Sequence, residues 1–139
     1  MLRSIAHIGV AVRDIETTIA LYSALFGHGP DHREDVPDQN VRTAMFAAGP
    51  SSVELLQATS ADSAIAKFIE KRGEGMHHIS FVVDDVRAEL RRLEAAGFQL
   101  IDREPRRGAG GFLVAFVHPK SAHGVLIELG QKIEAAHGG

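Results

Sequence analysis

Two histidines and two glutamates are placed so that they could act together. His7 lies in Ala6-His7-Ile8-Gly9 and His78 in His77-His78-Ile79-Ser80, at an offset of 78 − 7 = 71. Glu54 in Val53-Glu54-Leu55 and Glu128 in Ile127-Glu128-Leu129 are offset by 128 − 54 = 74. Two neutral imidazoles with one or two carboxylates form a good ligand set for a divalent cation such as Zn, Mn, Co, Ni or Fe. Taken singly, each residue has an ordinary explanation: a strand histidine is commonly solvated, and a glutamate in an apolar strand commonly faces water. The matched offsets favour the metal, because an internal pseudo-twofold axis brings equivalent residues to one point.

The elements that must position these groups repeat as well. Ile5–Val12 reads as a strand, with Ile8, Val10 and Val12 on one face and His7, Gly9 and Ala11 on the other. Asp14 is the expected cap of a helix whose stripe is Ile15, Ile19, Tyr22, Leu25 and Phe26, closed by Gly27. A polar loop with Pro37 follows, then strands over Val41–Ala47 and Ser52–Leu56 that turn at Gly49-Pro50. A short helix is expected from Asp62 or Ser63 to Gly73, burying Ile65, Phe68 and Ile69. The opening pattern then returns: His78, Ser80 and Val82 alternate with Ile79, Phe81 and Val83. An acidic cap at Asp84 or Asp85 starts a helix with Val86, Leu90 and Leu93 inward and Gly97 as its stop. Strands over Leu113–Val117 and Val125–Leu129 complete the second copy, with Phe98–Ile101 able to pair beside them. The three-residue difference between 71 and 74 is what a loop insertion produces. The fold class expected is α+β, two tandem βαβββ modules at about 4–58 and 76–131 with a linker helix at about 62–73, sharing one domain.

Composition narrows the function. In 139 residues, 15 Lys+Arg stand against 18 Asp+Glu, a formal net charge of −3, which argues against a general nucleic-acid or membrane-surface binder. The absence of cysteine excludes disulfides, thiolate metal sites and cysteine nucleophiles. No apolar run approaches the roughly 20 residues of a membrane span, and Met1-Leu2-Arg3-Ser4 leaves no room for a signal peptide, so a soluble, cytoplasmic protein is expected.

Other groups read less sharply. His77 has the opposite parity to His78 and is expected to face the helix layer in a structural role. His28, His32 and His137 have no partner spacing. Gly108-Ala109-Gly110-Gly111 lacks the spacing of a phosphate-binding loop and reads as flexible. Arg106 and Arg107 beside it are either solvated charges or contacts to an anion. His118-Pro119-Lys120-Ser121 ends a strand, either as a plain turn or as part of a site.

Together these residues resemble the vicinal-oxygen-chelate superfamily of glyoxalases, extradiol dioxygenases and fosfomycin and bleomycin resistance proteins. Within it the chain is similar to the methylmalonyl-CoA epimerases. The likeness rests on Ile5–Val12, on Ile65–His78, on Glu104-Pro105 through Gly110-Gly111, and above all on His118-Pro119-Lys120-Ser121 leading into Gly124–Leu129. It spans about residues 5–131. The resemblance implies curved mixed sheets around a central metal cleft, and one divalent ion per chain (Co, Mn, Zn or Ni) held by His7, Glu54, His78 and Glu128. It implies an isomerase acting on an acyl-CoA thioester: C2 epimerisation of methylmalonyl-CoA through a metal-stabilised enolate. Glu54 and Glu128 would be the proton-transfer groups, Lys120, Ser121, Arg106 and Arg107 would contact substrate, and the protein would be a homodimer. The sequence departs from the family at Thr43, where some epimerases carry a glutamate base, and at Glu54, where some carry glutamine. Glu54 must then supply the proton transfer that Thr43 cannot. A glyoxalase-type isomerase, a dioxygenase and a non-enzymatic binder of the same fold are the alternatives.

Overall fold

The computed structural model describes residues 1–108 and 111–133. Among these residues, three α-helices and eight strands run in chain order: β1 (Leu2–Ala11), α1 (Ile15–Phe26), β2 (His32–Val36), β3 (Val41–Ala48), β4 (Ser51–Ala58), α2 (Ala64–Arg72), β5 (Gly75–Val83), α3 (Val86–Ala95), β6 (Arg106–Arg107), β7 (Phe112–Val117) and β8 (Leu126–Lys132). None of the helices is long and apolar enough to cross a membrane. The chain divides into two compact units, one running from His7 to His77, the other combining Met1–Ala6 with the chain from His78 onward.

In the unit from His7 to His77, β1 pairs parallel with β4, and β4, β3 and β2 follow as antiparallel neighbours. Asp14 caps α1 as its sequence position predicts, accepting from the amides of Glu16 and Thr17 at 3.1 and 3.4 Å. Gly27 closes the helix at φ 80°, a left-handed conformation that costs glycine little. The helix packs Ile15, Ile19, Tyr22 and Phe26 onto Val10, Val12, Ala44, Phe46, Val53 and Leu55. Ile15 is fully buried, a burial that stabilises by roughly 1.5–3 kcal/mol. A separate cluster joins Ile65, Phe68 and Ile69 of α2 to Ala11, Val41 and Leu56. Val10 and Ala11, adjacent in β1, go to different clusters, so α1 and α2 cover opposite faces of this sheet.

The second unit repeats the scheme. β5 pairs parallel with β8, and β7 and β6 follow as antiparallel neighbours. Asp85, one of the two expected caps, accepts from the Ala88 amide at 3.1 Å. The α3 residues Val86, Leu90 and Leu93 pack on Val83, Ala115, Val117 and Leu129. One matched detail lies outside the hydrophobic pattern. The Ile15 amide donates to Gln57 Oε1 at 2.7 Å, and the Val86 amide donates to Gln131 Oε1 at 2.9 Å. Gln131 lies 74 positions after Gln57, the offset that relates the two glutamates. Each glutamine reaches from a last strand to satisfy a first-turn helix amide that has no partner within its helix.

One expectation is corrected and one strand is added. The polar loop before Pro37 contains β2, whose sequence His-Arg-Glu-Asp-Val carries almost no apolar alternation. The run beside Gly108 is preceded by β6, which the sequence pattern does not show, while Phe98–Ile101 pairs beside β7 as expected, through a bridge between Leu100 and Val117. Both overlooked strands occupy an edge of their unit's sheet, where charged residues suit an exposed backbone and hydrophobic pattern is weakest. Ala109 and Gly110 of the glycine-rich loop, together with His137, lie outside the described residues.

Candidate active site

The site face is defined by strand parity and register. Gly9 is opposite Glu54 on the parallel pair β1–β4, so His7, Gly9 and Ala11 share a face with Glu54 and Leu56. That is the face opposite to α1. His7 Nε2 lies 3.5 Å from Glu54 Oε1, with both side chains about one-fifth exposed. Burial pushes the His7 imidazole down, keeping it neutral near pH 7 and able to offer a lone pair to a metal. An imidazole beside a carboxylate suits a borderline divalent ion, which takes N and O donors at about 2.0–2.2 Å. His78 itself is 6 % exposed.

Glu128 stands on β8 opposite Ser80 of β5. Burial pushes its carboxyl up, while a hydrogen bond from the Ser80 hydroxyl and the nearby Arg106 charge pull it back. On its other side β7 places Phe116 opposite Glu128, and the Arg106 guanidinium lies over that ring, 5.6 Å from its centroid. Arg106 also faces Asp102 at 3.8 Å.

The remaining candidates take different places. Arg107 follows Arg106 in β6 and is exposed. Lys120 and Ser121 fall in a 3-10 turn over Pro119–Ala122, capped by His118, whose Nδ1 accepts from the Lys120 amide at 3.0 Å. Ser121 Oγ accepts from the Gln99 amide at 2.8 Å. His118 and Ser121 thus build the turn, and Lys120 is exposed on it. His77 meets Phe68 of α2 edge-on, with ring centroids 4.9 Å apart.

Thr43 is 7 % exposed and its hydroxyl donates to the Glu34 carbonyl at 3.1 Å. An un-ionised hydroxyl cannot act as a general base at neutral pH. Glu34 is opposite Thr43 in the β2–β3 register and shares its face. His32, two residues earlier, places Nε2 3.5 Å from Glu34 Oε1. Sequence reading passed over this pair because it assigned the segment to a loop. The repeat was the signal available, since a second βαβββ unit requires a first with all its strands.

The family model described as glyoxalase/bleomycin resistance protein/dioxygenase superfamily matches residues 6–116. The chain is 36 % identical over 133 residues to the ethylmalonyl-CoA/methylmalonyl-CoA epimerase of Cereibacter sphaeroides, covering 94 % of this chain and 99 % of that protein. A solved variant of the Streptomyces coelicolor methylmalonyl-CoA epimerase, in complex with 2-nitronate-propionyl-CoA, superposes with a TM-score of 0.88 at 39 % identity, covering 97 % of this chain and 98 % of that one. A methylmalonyl-CoA epimerase solved with methylmalonyl-CoA and ammonium superposes with a TM-score of 0.87 at 40 % identity, covering 95 % and 96 %.

Proposed function

The chain belongs to the glyoxalase/bleomycin resistance protein/dioxygenase superfamily, and from that premise we propose that it epimerises methylmalonyl-CoA at C2. The observation that carries this reading is the His7–Glu54 pair, whose counterparts in the repeat are His78 and Glu128, in a chain similar over nearly its whole length to epimerases of that substrate. The whole chain then works as one domain built from the modules at about 4–58 and 76–131 joined by α2.

Epimerisation removes a weakly acidic C–H beside a thioester and returns the proton to the opposite face. His7, Glu54 and His78 would hold one divalent ion (Co, Mn, Zn or Ni), with Glu128 as a fourth ligand. Such an ion supplies Lewis-acid stabilisation of the negative charge that develops on the thioester oxygen. Glu54 and Glu128 are the two proton-transfer groups, one for each face of the planar deprotonated substrate. A carboxylate bound tightly to a cation is a weak base, so at least one of Glu54 and Glu128 would hold the ion loosely enough to take the proton. Arg106 and Arg107, with Lys120, supply cations for the phosphates of the CoA tail, and Ser121 adds a polar contact. The working form is a cytoplasmic homodimer. Leu21 and Leu25, one turn apart on α1, are 66 % and 74 % exposed, which suits a covered face.

The deciding experiment is metal analysis of the purified protein followed by incubation with methylmalonyl-CoA in deuterated water. One ion per chain and deuterium entering C2 are expected. Stable metal content with no exchange, alongside turnover of a hemithioacetal or a catechol, would move the chain to another chemistry of the superfamily.

A further inference from the structure

Ser80 occupies in the second half the position that Gly9 holds in the first, since 80 − 71 = 9. The register makes the comparison direct: Gly9 is opposite Glu54, and Ser80 is opposite Glu128. Side chains at paired positions of adjacent strands emerge on the same face, so the Ser80 hydroxyl stands beside the Glu128 carboxylate and donates a hydrogen bond to it. Ser80 is 3 % exposed, which leaves water little access to that hydroxyl. A buried hydroxyl in a strand flanked by Ile79 and Phe81 costs stability unless it is hydrogen-bonded. Gly9 has no side chain to offer Glu54, whose carboxylate lies 3.5 Å from His7 instead.

We infer that Ser80 is a positioning residue for Glu128, holding one carboxylate oxygen so that the other is presented to the metal and substrate. The last torsion of a glutamate is broad and poorly restrained by itself. A hydrogen bond from a buried neighbour therefore removes a freedom that would otherwise be lost when the site assembles. The inference rests on the proposed function for its substrate and on the four-ligand reading for its metal. The Ser80–Glu128 pairing is independent of both.

The test compares Ser80→Ala and Ser80→Thr in the wild-type protein and in a Glu128→Gln background. Mn²⁺ affinity is measured by calorimetric titration, and kcat and KM are measured on methylmalonyl-CoA. Ser80→Ala should weaken Mn²⁺ binding about 10-fold, the lower end of the range for groups that orient metal ligands. It should lower kcat with KM nearly unchanged. Ser80→Thr keeps the hydroxyl and should recover both quantities. In the Glu128→Gln background, Ser80→Ala should leave Mn²⁺ affinity nearly unchanged. The inference is overturned if Ser80→Ala matches wild type in both readouts, or if it costs as much affinity without the Glu128 carboxylate as with it. Wild-type protein that binds Mn²⁺ but does not turn over methylmalonyl-CoA would remove the substrate assignment, and the Mn²⁺ titrations alone would then decide the role of Ser80.

Discussion

Glu54 and Glu128 hold equivalent places in the repeat, and the rows of side chains that cross the sheet beside them differ at every other position. The row through Glu54 reads Met45, Glu54, Gly9, and its counterpart reads Phe116, Glu128, Ser80. The adjacent row in the first unit is Glu34, Thr43, Leu56. In the second, starting from Gly130 (56 + 74), it is Arg106, Val114, Gly130. The helix-facing layer tells the opposite story. Ile15 and Val86 are both fully buried, and Gln57 and Gln131 perform the same capping bond. Packing and backbone satisfaction constrain both copies alike. The site face is not packed alike in both, since α2 covers Ala11 and Leu56 of the first copy, and there the copies have parted: an acid and a glycine in one, a cation and a hydroxyl in the other.

The largest expected effect tests the symmetry itself. His7→Ala and His78→Ala should each abolish metal retention while leaving the far-ultraviolet circular dichroism nearly unchanged, because neither imidazole belongs to an apolar cluster. If both variants keep one ion per chain at unchanged affinity, the matched histidines are not a metal site.

Glutamine substitutions separate the two carboxylates. Glu54→Gln keeps an oxygen ligand and cannot accept a proton, so it should retain metal yet lose at least about 100-fold in epimerisation, the scale of a general base. It should still exchange the C2 hydrogen of one epimer with solvent deuterium through Glu128. Near-normal epimerisation by this variant would break the two-glutamate assignment.

Charge at the outer row should matter to substrate binding in one half more than in the other. Arg106→Glu and Lys120→Glu should each raise KM for the CoA ester on the order of 10-fold, the scale of a lost charge-assisted hydrogen bond, with a smaller change in kcat. Glu34→Gln should leave KM nearly unchanged. Equal effects from the two edge strands would show that the phosphates do not favour the second unit.

The smallest effect is the most symmetric. Gln57→Ala and Gln131→Ala each leave a helix amide without its side-chain acceptor and should each cost about 1 kcal/mol in denaturant unfolding. A large difference between them would mean that the shared cap is not equally important to the two copies.

The duplication, the helix cap at Asp14, the helix stripes and the parity separating His77 from His78 were all legible in the chain. These are local or periodic properties, written in residue type and spacing. The likeness of His7 to His78 and of Glu54 to Glu128 was legible for the same reason, since a repeat is a comparison of the chain with itself. Strands β2 and β6 were not legible, because an edge strand is held by backbone bonds to one neighbour and need not alternate apolar with polar residues. The partners of the site residues lay beyond the sequence for a related reason. Which residue faces Glu128 depends on the register of β5 against β8, and register is settled by pairing between segments almost fifty residues apart. Only the folded sheet could put a serine beside one glutamate and a glycine beside the other.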